Sequence, residues 1–166
     1  MKGMMKFIGI LLLLSATLCA RAGDLIVIQI NESQLPYEFS PSNYENSASN
    51  YDNSISNYEN SSSNYENSPS NYANSSSNYE NGLSGKKRLL VKNGASLKFV
   101  GYFVSGTNGI TNFFTPSGTR IFYNPKKTPA VFGGLDGIFG GVIAEVKGDL
   151  SLVLTEHGMR RLLLAQ

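Results

Sequence analysis

SNYENSA SNYDNSI SNYENSS SNYENSP SNYANSS SNYENGL runs from Ser42 to Leu83: six seven-residue units in uninterrupted succession. Tyr44, Tyr51, Tyr58, Tyr65, Tyr72 and Tyr79 are in phase, and Tyr37 sits one period upstream in a segment that reads as a decayed seventh copy. A heptad raises the expectation of a coiled coil, but that needs apolar residues at two positions in seven. Each unit here offers one Tyr among Asn, Ser and Glu, and Asn and Ser draw the backbone away from helix through local hydrogen bonds. A strand fits no better, because an odd period puts successive tyrosines on opposite faces. Such a segment, taken alone, buries too little apolar surface to offset its ordering entropy. The sequence therefore predicts that residues 32–85 are a disordered insertion, a coil spanning roughly 35 Å over the repeats.

The flanks are different in kind. Met1–Lys6 is basic, Phe7–Leu18 is apolar, and Ala20-Arg21-Ala22 supplies small residues before Gly23. Residues 1–22 read as a secretory signal with cleavage after Ala22, so the expected location is extracellular. The apolar run is too short to span a bilayer, which takes ~20 residues, and no other stretch is longer. The single cysteine, Cys19, falls within that signal, so the exported chain is expected to have no disulfide, thiol nucleophile or thiolate metal site.

Residues 23–31 carry the strongest strand signal, DLIVIQI, apolar on both faces and rich in β-branched residues. A two-sided apolar strand left alone is an aggregation hazard. It is expected to dock on the domain formed by residues 86–166. There, short apolar and aromatic runs alternate with turns: Asn93-Gly94, Ser105–Gly109, Pro116-Ser117-Gly118, a Pro/Lys loop at 124–129, the Gly-rich stretch 133–141, and Lys147-Gly148. Residues 159–165 close the chain as a strand or a helical turn. This spacing predicts an all-β domain, a small sandwich or barrel, joined by strand 24–31 and interrupted by the repeat insertion.

Charge is segregated. The whole chain carries a formal +2, yet residues 31–83 hold seven acids and no Lys or Arg, whereas residues 86–166 hold eleven basic residues against four acids. An acidic arm on a basic domain is expected to screen itself or to meet an outside polyanion such as a matrix glycan; Lys126, Lys127, Arg160 and Arg161 are the candidate anion-binding residues. Nucleic acid is not an expected partner of an exported chain.

Candidate modification sites follow from local motifs. Asn31, Asn60 and Asn74 head N-glycosylation sequons. Tyr44, Tyr51, Tyr58, Tyr65 and Tyr79 are each followed by an acid, a setting for tyrosine sulfation. Lys86-Lys87-Arg88, together with Ala22, are candidate processing points. Catalytic machinery is not indicated. His157 is the only histidine and its plainest reading is a surface group; no nucleophile elbow or phosphate loop is present, and no metal or other cofactor is implied. The sequence thus predicts a secreted, non-enzymatic structural or interaction protein. Its multivalent Tyr-rich arm would meet an extracellular protein, an anionic matrix glycan or another copy of itself. The alternative is a precursor cut at Lys86-Lys87-Arg88 to release a peptide or basic effector domain.

Overall fold

The computed structural model describes residues 18–166; the basic and apolar parts of the expected signal, up to residue 17, lie outside the described residues. Eight strands form one closed barrel in the order of the chain: β1 Leu25–Ile30, β2 Arg88–Asn93, β3 Ser96–Ser105, β4 Thr111–Phe114, β5 Arg120–Asn124, β6 Ala130–Gly133, β7 Phe139–Val146 and β8 Asp149–Thr155. A helix, α1 Glu156–Leu164, follows. The fold is all-β and barrel-like.

Strands β2 to β8 are an antiparallel meander. Seven alternating strands leave the first and last pointing the same way, so they cannot close as an antiparallel pair. β1 fills the gap. It runs parallel to β2, with Val27 opposite Val91, and parallel to β8, with Val27 opposite Leu152. Its two-sided apolarity has this cause: Leu25 and Val27 are buried while Ile26, Ile28 and Ile30 are partly covered on the other face. A parallel neighbour requires a crossover from one end of the strand to the other. Residues 31–87 are that crossover.

Two apolar layers share the wall. Leu25, Val27, Leu89, Phe113, Leu152 and Leu154 belong to the inner layer, where α1 adds Met159 and Leu162. An eight-stranded barrel has an interior about wide enough for its own side chains, so the crossover must pass outside. It does: Tyr123, Ala130, Phe132, Val142 and Val153 form the outer layer with Leu35, Phe39 and Ile55 of the crossover packed against them. One mouth is covered by α1, whose end reaches β3 where the Gln166 Nε2 donates to the Val100 carbonyl at 3.1 Å. Gly158 is obligatory in that helix, since a Cβ there would lie 2.1 Å from the Gly140 carbonyl oxygen. At the other end, Arg88 and Asp24 form an ion pair of 2.6 Å with both side chains inaccessible.

The crossover is not the disordered arm that composition predicts. Five of the six units fold into one 3-10 turn over the triplet that starts at Tyr and ends at Asn, for example Tyr44–Asn46, Tyr51–Asn53 and Tyr65–Asn67, and the third unit makes a plain turn there. The first Asn of the unit caps the turn: Asn43 Oδ1 accepts from the Glu45 N–H and Asn50 Oδ1 from the Asp52 N–H, both at 3.1 Å. The Ser after the turn accepts from the N–H two residues on, as Ser47 does from Ser49. The second Asn turns inward and is buried. Its amide donates to two carbonyls of the preceding unit: Asn53 to Glu45 and Ser47, Asn60 to Asp52 and Ser54, Asn67 to Glu59 and Ser61. Asn46 does the same to Glu38 and Ser40, so residues around Tyr37 act as the first copy of the array. The local bonding that argues against helix and strand is here the bonding of a third structure, a stack of turns held by an asparagine ladder.

Candidate functional site: the tyrosine row

The barrel wall supplies a polar seat for this stack. Tyr102 of β3 donates to the Asn74 carbonyl at 2.6 Å, and Asn112 of β4 donates through Nδ2 to Asn67 Oδ1 at 3.0 Å. Arg120 of β5 donates through Nη2 to the Asn60 carbonyl, and Tyr123 of the same strand donates to the Asn53 carbonyl, both at 2.8 Å. Thr128, after β5, donates to Asn46 Oδ1 at 2.8 Å. Successive repeats therefore bond to successive places round the wall, in the reverse of strand order. Burial pushes the Tyr102 hydroxyl up to about 12 and raises Tyr123 as well, so both stay protonated donors. Burial lowers Arg120 to about 10, which still leaves it charged; its guanidinium lies 5.0 Å from the centre of the Tyr123 ring.

With the Asn edge turned to the barrel, the tyrosines face solvent. The six repeat tyrosines are between 60% and 77% exposed, and Tyr37 continues the row at 68%. The Tyr79 hydroxyl is raised, first by its bond to Glu80. Two of the accompanying acids reach loops of the barrel. Glu59 Oε2 accepts from Lys126 Nζ at 3.0 Å and Glu66 Oε2 accepts from Thr107 Oγ1 at 3.1 Å. Among the described residues, the carboxylates of Glu45, Asp52 and Glu80 receive no ion pair.

The other sequence-derived sites fare unequally. Tyr44, Tyr51, Tyr58, Tyr65 and Tyr79 all stand accessible beside their acids. Of the sequons, Asn31 is exposed, with its side chain accepting from Ser33. Asn60 and Asn74 are ladder residues, 1% exposed, with amide nitrogens bonded to carbonyls of the previous unit. A glycan on either nitrogen would replace those bonds and meet the barrel wall. At the processing motif, Ala22, Lys86 and Lys87 are exposed, but Arg88 is fully buried in β2 between β1 and β3. Its guanidinium holds Asp24 and the Cys19 and Leu83 carbonyls, so the bond after Arg88 is not on an open segment.

The four candidate anion-binding residues are not brought together as one free patch. Lys126 is on Glu59, Arg160 on Glu156 at 3.3 Å, and Arg161 on Asp136 in a tight contact; Lys127 is exposed with a left-handed φ of 67°. Burial raises the Asp136 carboxyl, but the Ile138 N–H and Arg161 outweigh it and hold the group low. His157 is exposed and shares a shallow cleft with Arg160, Arg161 and Leu164. No group of three His, Cys, Asp or Glu residues suited to a metal occurs among the described residues. The chain matches no family model, no curated protein and no solved structure.

Proposed function

We propose that this chain is a secreted, non-enzymatic interaction protein whose contact surface is the tyrosine row. The observation that carries the reading is the regular exposure of Tyr37 and the six repeat tyrosines on a backbone fixed by buried asparagines. A folded stack presents identical side chains at fixed intervals and loses little further entropy on binding, so weak contacts can add. The barrel is the support that holds the row open: Tyr102, Arg120 and Tyr123 donate to backbone carbonyls of the array and leave its phenols free. Export rests on the basic-then-apolar start and the small residues before Gly23.

The test is expression of the full chain in a eukaryotic secretory host beside a variant with Tyr44, Tyr51, Tyr58 and Tyr65 all changed to Ser. Both should reach the exterior and melt alike, because these side chains are mostly exposed. The parent should be retained on extracellular material and the variant released into the medium. Equal partitioning of the two, or retention of both inside the cell, refutes the proposal.

A further inference from the structure

We infer that the tyrosine row binds an extended cationic segment, a lysine- or arginine-rich chain, rather than an anionic or neutral polymer. This rests on the reading of the row as the contact surface. Three observations point the same way. Residues 31–83 contain seven acids and no basic residue, and five of the six repeat tyrosines are followed directly by an acid. Glu45, Asp52 and Glu59 are exposed on the same turns as the rings, while the Asn of each turn is the residue buried against the barrel.

The third is an internal example of the ligand. The loop after β5 carries Lys126 to the edge of the third unit, where its ammonium rests on Glu59 Oε2 at 3.0 Å. Equivalent positions in other units, Glu45, Asp52 and Glu80, carry no such partner among the described residues. One lysine of the chain's own barrel thus occupies one place in a series in which Glu45, Asp52 and Glu80 have no ion-pair partner. Aromatic faces attract cations as carboxylates do, so a Tyr-acid pair per turn offers an ammonium or guanidinium two matched contacts. An anionic glycan would meet the unpaired carboxylates of Glu45, Asp52 and Glu80, which disfavours it.

The probe is fluorescein-labelled decalysine, titrated with the full exported chain and followed by polarisation across a sodium chloride series. Binding should be measurable at low salt and weaken steeply as salt rises. Changing Tyr44, Tyr51 and Tyr58 to Ser leaves every charge in place and should weaken binding at least about tenfold, taking about two- to fivefold per exposed cation–π contact. Glu45→Gln with Asp52→Asn should weaken it similarly. Lys126→Met vacates Glu59 and should tighten binding about two- to fivefold. Thermal melts of each variant establish that the fold is retained.

Absence of decalysine binding overturns the inference. So does a Tyr-to-Ser variant that binds as well as the parent, which would mean bare charge attraction. Retention on heparin or chitin that the same tyrosine changes abolish also overturns it, while leaving the row as a contact surface for a different ligand. Failure of the extracellular retention described above, by contrast, removes the contact surface itself.

Discussion

Asn67→Ala should destabilise the protein by about 3–5 kcal/mol, far more than its polar, repetitive surroundings would lead one to expect. The side chain is fully buried and makes four hydrogen bonds. Nδ2 donates to the Glu59 and Ser61 carbonyls at 2.6 and 2.9 Å; Oδ1 accepts from Asn108 and Asn112 at 3.1 and 3.0 Å. Each bond is worth about 0.5–1.5 kcal/mol net, and a buried donor left unpaired costs about 1–3 kcal/mol more. Asn112 is itself wholly buried, and its Nδ2 would become such a donor. Side-chain entropy released by the alanine trims the total by about 1 kcal/mol.

Asn64→Ala, in the same repeat, is the control. Asn64 makes a single capping bond, to the Glu66 N–H at 3.1 Å, so its loss should cost about 1 kcal/mol. Both would be measured by urea unfolding followed with circular dichroism and tyrosine fluorescence, since the chain lacks tryptophan. Amide exchange would show whether the array opens alone or with the barrel. If Asn67→Ala stays within about 0.5 kcal/mol of the parent, or costs no more than Asn64→Ala, the ladder is not what orders the repeats.

Asp24→Asn should cost about 3–5 kcal/mol at neutral pH, because it strips the partner from a buried guanidinium. Burial raises the Asp24 carboxyl, but bonds from Arg88 and the Arg21 N–H outweigh it and the net shift is downward. A lowered folded value gives stability that is present above the unfolded carboxyl value of about 3.9 and lost as pH falls through the folded one. Denaturation midpoints below about pH 4 should therefore fall more steeply for the parent than for Asp24→Asn, and parallel curves would exclude the pair as the cause. Removing residues 24–31 should leave a seven-stranded meander with two open edges that aggregates; a fragment 86–166 melting like the full chain would contradict the role given to β1. In a glycosylating host, mass spectrometry should find sugar on Asn31 and none on Asn60 or Asn74, and occupancy of either ladder residue in folded protein would refute the burial argument.

Several parts of the barrel are legible in local pattern. The Asn93-Gly94 and Lys147-Gly148 turns mark two hairpins that the structure contains, with Lys147 at φ 53° and Gly148 at φ 87°. The runs after residue 88 become strands within a few residues of where alternation places them. The local pattern at the end of the chain fits strand or helix, and the segment is helix Glu156–Leu164. Thr155 caps it through Oγ1, and the contact of Gly158 with Gly140 fits it to the barrel. The contact surface was legible only in its parts. Tyrosine followed by acid is visible in the letters, but which side chains face out is not, because the turn that separates Tyr from Asn belongs to neither standard period.

Local pattern sets the barrel strands, the need for Asp24–Asn31 to be buried on a sheet, the charge segregation and the heptad. These are set by short-range chemistry: β-branching, turn residues, apolar runs. Tertiary structure alone decided that β1 closes the sheet between two parallel neighbours, and that the repeats are ordered. A seven-residue unit of Asn, Ser, Glu and Tyr has no apolar face of its own to bury. It becomes ordered because the outer wall of the barrel offers Tyr102, Asn112, Arg120 and Tyr123 as donors in register with its inward atoms, and because each turn gives the next two carbonyls to bind. That matching exists only between distant parts of the chain brought together, so no local window contains it.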